Sequence, residues 1–115
     1  MSATVYKILS ADLWRQAEEA GLFSGAGIDI ADGFIHLSTA LQARKTAALY
    51  FKGEEGLVLL AIDAAKLGPA LTYEASRDSD LFPHLYGPLA LDAVIAVHPM
   101  DLDEEGRHRF PEEIA

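Results

Sequence analysis

Two short segments of this chain carry histidines, hydroxyls and charges where a small domain usually has core or turn residues. The first is Asp32-Gly33-Phe34-Ile35-His36-Leu37-Ser38-Thr39. The second is Glu74-Ala75-Ser76-Arg77, followed by Phe82-Pro83-His84-Leu85-Tyr86-Gly87-Pro88. Strand alternation puts Ile35 and Leu37 on one face, and Phe34, His36 and Ser38 on the other. Thr39, with Gln42 three residues on, has the form of a capping box, so a helix opens there. A histidine at a strand end, beside free helix N–H groups, suits an anion or a polar ligand. His36 is therefore the leading candidate, for binding or for catalysis. A neutral imidazole accepts or donates one bond, and a charged one can hold a phosphate.

The other candidates each have a plain structural role to set beside the functional one. Ser38 and Thr39 sit where hydroxyls cap helices, yet a capped end still has spare donors for a ligand. Arg77 is the one Lys or Arg between Lys66 and Arg107. It either pairs with a local acid such as Glu74 or grips a phosphate or carboxylate with its fork. Glu74 is Arg77's natural partner or a second catalytic candidate. His84 and Tyr86 share a face if extended, as a rigid loop or as a pocket wall. His36, Arg77, His84 and Tyr86 are expected to line one cleft. The histidine and acid spacing matches no zinc signature, so no metal is expected.

The elements that must position these residues can be read along the chain. Val5 to Leu9 predicts a strand. Ser10 caps a helix carrying Leu13, Ala17 and Ala20, and Gly21 stops it. Leu22 to Ala31, with two glycines and no period, reads as a loop anchored by Phe23. Gly33 to Ser38 is a second strand. Ala40, Ala43, Ala47, Tyr50 and Phe51 share one face of a second helix. Leu57 to Ile62 is a continuous apolar run, expected as a central strand covered on both faces. Leu71 to Ala75 alternates, and Ala93 to His98 is the last strand. Pro83 and Pro88 argue for keeping His84-Leu85-Tyr86 out of a sheet interior. The sum is an α+β domain, a small split mixed sheet with two main helices, over residues 1–100.

The 115 residues carry a formal charge of −9. Six of the 18 acids follow Met100, against Arg107 and Arg109. Residues 101–115 thus read as an acidic C-terminal tail that buries little and can be removed. Twelve acids against seven Lys and Arg before it argue against bulk nucleic acid and against an anionic membrane surface. With no cysteine, there is no disulfide framework and no thiolate chemistry. No signal peptide or membrane span is visible, and a cytoplasmic location is expected.

The same residues resemble a bacterial family known as a domain of unknown function, number 952. The likeness runs from Val5 to about Met100. It is carried by Val5-Tyr6-Lys7-Ile8, Trp14, Asp32 to Ala40, Gln42, Thr46, Leu57-Val58-Leu59-Leu60, Ile62-Asp63, Glu74, Ser76-Arg77 and Phe82 to Pro88. The resemblance implies an ADP-ribosyltransferase-like fold that closes round a nicotinamide nucleotide, with NAD or a related nucleotide as ligand. Phe34-Ile35-His36-Leu37-Ser38 is also similar to a stretch of the RNA 2'-phosphotransferases. Ser38-Thr39 is similar to an element of some toxin-type transferases.

Transferases of that kind place a glutamate near a late strand. Here His84 to Leu89 has no acid, and Glu74 comes earlier. The first strand offers Tyr6 and Lys7 rather than His or Arg. The expectation is a polar cleft that binds a nucleotide-like or other anionic small molecule, with weak or absent turnover of NAD. The alternatives are an NAD-dependent ADP-ribosyl- or phosphotransferase-like enzyme and a protein-interaction domain.

Overall fold

The computed structural model describes residues 3–75 and 80–114. Its centre is β4, Leu57–Asp63, formed by the apolar run. β1, Thr4–Ser10, and β8, Val94–Met100, flank β4, and both pairings are antiparallel. Alternation along β4 sends Val58, Leu60 and Ile62 into one core and Leu57, Leu59 and Ala61 into another. The strand is covered on both faces, as its composition predicts. Full burial of a side chain such as Leu59 is worth about 1.5–3 kcal/mol.

Helix α1, Ala11–Ala20, starts where Ser10 Oγ accepts from the Leu13 N–H at 3.1 Å. It ends at Gly21, whose φ of 88° suits a residue without Cβ. Trp14 and Ala17 face the first core. Helix α3, Ala40–Tyr50, packs Ala43 and Ala47 on the second core. Gln42 fixes its start: Oε1 accepts from the Thr39 N–H at 3.0 Å, and Nε2 donates to the Leu81 carbonyl at 2.8 Å.

A second three-stranded sheet holds the candidate residues. Its order is β3 (Ile35–His36), β6 (Leu81–Leu85) and β5 (Leu71–Ala75). A minor pair joins β2, Leu22–Phe23, to β7, Leu89–Ala90. The α+β class and the split sheet stand. The helix inventory needs correction. Among the described residues there is a third α-helix, α2, Ile28–Asp32, inside the stretch read as a loop. Its Ile28 and Ile30 are exposed while Asp29 is buried, so no apolar period marked it.

Pro83 is also placed otherwise than expected. It lies fully buried in β6, the middle strand of its sheet. Its carbonyl accepts from the Leu37 N–H at 3.0 Å. The N–H and C=O of one residue point to the same neighbour, so the missing proline donor also falls on the β3 side. β3 stops at His36 there, and the next backbone pair, Tyr6 with Ser38, joins the chain to β1. The sheet interior tolerates the proline because its neighbour leaves.

The segment after Met100 does not behave as a loose tail. Ile114 is 6% exposed and joins the second core, with Phe110 packed beside it. His108 is buried, and its Nε2 donates to the Glu54 carbonyl at 2.8 Å. Tyr6 OH donates to Glu113 at 3.1 Å. Apolar residues at 102, 110 and 114 are too widely spaced to show a period, yet Phe110 and Ile114 pack on the second core and Leu102 bridges to His108 through the backbone. No helix among the described residues is long and apolar enough to cross a membrane.

Candidate functional site

The register of the second sheet sorts its side chains. One transverse row, Ile35, Leu85 and Leu71, turns inward. The next row, His36, His84 and Thr72, turns to the opposite face. Glu74 follows Thr72 on that face, and Tyr86 follows His84. His36 and His84, far apart in the chain, therefore meet through strand pairing, and Tyr86 joins them just beyond the end of β6. Ring-centroid distances place Phe34 at their middle: 4.1 Å from His84, 4.6 Å from His36 and 5.2 Å from Tyr86. Gly33, with φ of 83°, makes the turn that delivers Phe34.

His36 is held by α2. Asp29 and Asp32 are three apart, hence on one face of the helix. His36 Nδ1 lies 2.7 Å from Asp29 Oδ1, and Nε2 lies 3.0 Å from Asp32 Oδ2. An ionised Asp29 accepts the Nδ1 hydrogen and so fixes the ring's orientation. The His36 backbone N–H donates to the same oxygen at 2.9 Å.

Asp29 is the most constrained polar group here. Its side chain is 1% exposed. Lys7, on the core-facing side of β1 between Val5 and Leu9, donates to both carboxylate oxygens at 3.2 and 3.0 Å. The Ala26 N–H donates to Oδ2 at 3.1 Å. Burial alone would raise the Asp29 carboxyl. The Lys7 ammonium and the bonds from His36 outweigh it and hold the group below its usual value. Burial pulls Lys7 below the ordinary lysine value, against the opposing pull of Asp29. Neither residue stood among the sequence candidates. A lysine at a core-facing position of an apolar strand was the available signal, and it implied a buried acid elsewhere.

The second half of the cluster is built on Glu74. Its Oε1 accepts from Tyr86 OH at 2.7 Å and lies 2.8 Å from His84 Nδ1. Those two bonds, the tyrosine's first, hold Glu74 below the usual carboxylate value. In turn the bond to Glu74 raises the Tyr86 phenol. His84 is buried while Tyr86 is 46% exposed, so the cluster has an open side. A pocket of about 400 Å³ shares Phe34 with the cluster but none of His36, Glu74, His84 or Tyr86, and it is lined otherwise by inward-turned Ile35 and Leu85 and by Leu22, Ile30 and Pro88.

Ser38 and Thr39 lie at the junction into α3. Ser38 is buried, with its Oγ 3.2 Å from Thr46 Oγ1. Thr39 is the N-cap of α3. Arg77 lies outside the described residues. The chemistry gathered is thus two histidines, each oriented at Nδ1 by a carboxylate, around an aromatic centre. Such pairs can donate, accept and carry protons.

Apart from Lys7, the residues that build this arrangement lie inside a stretch, residues 8–97, that matches the family described as Protein of unknown function (DUF952). The chain belongs to that family. This DUF952 chain is similar to protein CC0527 from Caulobacter crescentus. Against its crystal structure the TM-score is 0.92 at 46% identity, covering 96% of this chain and 97% of that one. Against the solution structure of CC0527 the TM-score is 0.82 at 49% identity, covering 90% of each chain. Among curated proteins none matches the DUF952 chain.

Proposed function

We propose that the cluster round Phe34 binds a nucleotide-like small molecule in the cytoplasm, chiefly through its nucleoside end, and does not cleave it. The observation that carries this is the grouping of Phe34, His36, His84 and Tyr86, with Asp32 and Glu74 at the margin. Aromatic faces suit a base, because every base has a π-face to stack. Partly exposed carboxylates accept from ribose hydroxyls, and the ring N–H and phenol groups donate.

The local acids make the cluster a poor seat for bare phosphate. Arg77 remains the candidate for the phosphates of such a ligand. Ser38 and Thr39 support the site from the junction behind it. An ADP-ribosyltransferase-like closure of the two sheets belongs to the same reading, and the split between them supports it. NAD and ADP-ribose are the ligands to try.

A second reading, NAD-dependent transfer, is favoured by one observation. Glu74, at the margin of the cluster, is bonded to two of its side chains, His84 and Tyr86. A carboxylate there can stabilise positive charge developing on a ribose ring. The test is calorimetric titration with NAD and ADP-ribose beside an assay for released nicotinamide. Binding of either compound, weakened at least several-fold in Tyr86→Ala, with no nicotinamide release, is expected. Robust release that vanishes in Glu74→Gln moves the assignment to the enzyme. No binding, with His36→Ala unchanged in every assay, moves it to a protein-interaction domain.

A further inference from the structure

The nine Lys and Arg residues of this acidic chain are not spread evenly. Arg44, Lys52 and Arg107 line one pocket of about 430 Å³, together with His108. The pocket lies between the second half of α3 and the segment that follows β8, away from the Phe34 cluster. Its walls are Ala47, Ala48 and Phe110, and its one acid is Glu105.

Two of the three cations are placed by something other than a ligand. Arg44 sits over the Phe110 ring, 4.7 Å from the centroid. A contact through a ring face fixes a guanidinium without using its N–H donors. Lys52 follows the end of α3 and is exposed. Arg107 donates to Glu105 at 2.8 Å and lies 3.7 Å from Asp103. These partners are exposed or half-buried, and exposed pairs are readily exchanged. The Arg107 N–H and the Glu105 N–H both donate to Asp103 Oδ1 at 2.9 Å, so the turn carrying Arg107 is fixed from below.

We propose that this pocket binds a small phosphate monoester. A dianion answers three cations better than a carboxylate does, and it competes with Glu105 and the more distant Asp103 for Arg107. Arg44 and Arg107 supply forks for the phosphate oxygens, and Lys52 supplies a point charge. The apolar walls and the volume leave room for a compact organic group beside the phosphate. The site owes nothing to the His36 and His84 cluster, and each can fail without the other.

The probe is phenyl phosphate, with inorganic phosphate and phenol as controls, followed by amide chemical shifts in the full chain. The shifts are expected at Arg44, Lys52, Gly106 and Arg107, with phenyl phosphate binding more tightly than phosphate and phenol not at all. Lys52→Gln and Arg107→Gln should each weaken binding severalfold, and adding salt should weaken it further. Because Arg44 also holds Phe110, Lys52→Gln, whose side chain anchors nothing else, keeps the test clear of misfolding. Shifts centred on His36 and His84, or affinity unchanged in Lys52→Gln with an unchanged thermal midpoint, would overturn the proposal. So would no binding of phenyl phosphate at millimolar concentration.

Discussion

His36 and His84 stand directly opposite one another on β3 and β6, ring centroids 5.6 Å apart and planes at 65°. Each presents Nδ1 to a carboxylate, His36 to Asp29 and His84 to Glu74. The two acids come from different elements, a short helix and an edge strand. Neither histidine depends on the other's partner, so the halves of the cluster can be dismantled separately.

Asp29→Ala should destabilise the protein by about 3–5 kcal/mol, because it leaves the Lys7 ammonium buried without its partner. Lys7→Met should cost less. Asp29 keeps the bonds from His36 and Ala26, and methionine fills the same space. Urea unfolding of both variants and the double variant measures this. Equal costs would mean that Lys7 reaches water once Asp29 is gone.

Acid should loosen the fold through the same residue. Asp29 titrates below its unfolded value, so its stabilisation is complete above the ordinary carboxylate range, about pH 4. It is lost as pH falls through the lower folded value. Glu74, also lowered, acts with the same sign. Unfolding free energy measured across the acid range should fall, and Asp29→Asn should flatten that fall. An equally steep fall in the variant would move the acid sensitivity to other groups.

The Tyr86 phenol should titrate above its ordinary value, since ionising it would forfeit the hydrogen bond it donates to Glu74 and set two negative charges against each other there. In Glu74→Gln the carboxylate charge is gone, and the phenol should move back down. Ring resonances of Tyr86 followed through alkaline pH provide the measurement. No movement on substitution would show that Glu74 and Tyr86 part in solution.

Removal of residues 110–115 should lower the thermal midpoint by many degrees, and Ile114→Ala alone should cost about 2 kcal/mol. Ile114 is buried in the second core, and Glu113 binds Tyr6. A midpoint within a degree of the intact chain would return the segment to the role its acidity suggests.

Legibility from sequence followed the physics of each element. The apolar run at Leu57 to Ile62, the Ser10 and Gly21 stops, and the alternation through Phe34 to Leu37 are local patterns, and each holds. Residue type suggested that His36, Arg77, His84 and Tyr86 share one cleft; the rings of His36, His84 and Tyr86 gather round Phe34, while Arg77 lies outside the described residues. The pairing that brings the histidines together was not legible, because two prolines argued against a central strand at His84. Helix α2 escaped because tertiary bonds to Asp29 sustain it, while Ile28 and Ile30 face outward. Those bonds come from Lys7 and His36, which no local pattern connects to Asp29. The docking of Ile114 is likewise one long-range contact in an acidic stretch.

The departure of β3 at Pro83 has a consequence for how the domain breathes. Backbone bonds link the histidine-bearing sheet to the larger one where the Tyr6 N–H donates to Ser38 O at 2.7 Å and the Ser38 N–H donates to Tyr6 O at 2.8 Å. Parting of the two sheets would break both at once. Solvent exchange of these two amides therefore reads the opening of that seam. A ligand that clamps the sheets together would slow both amides in step, while one that only rests on Phe34 would leave them alone.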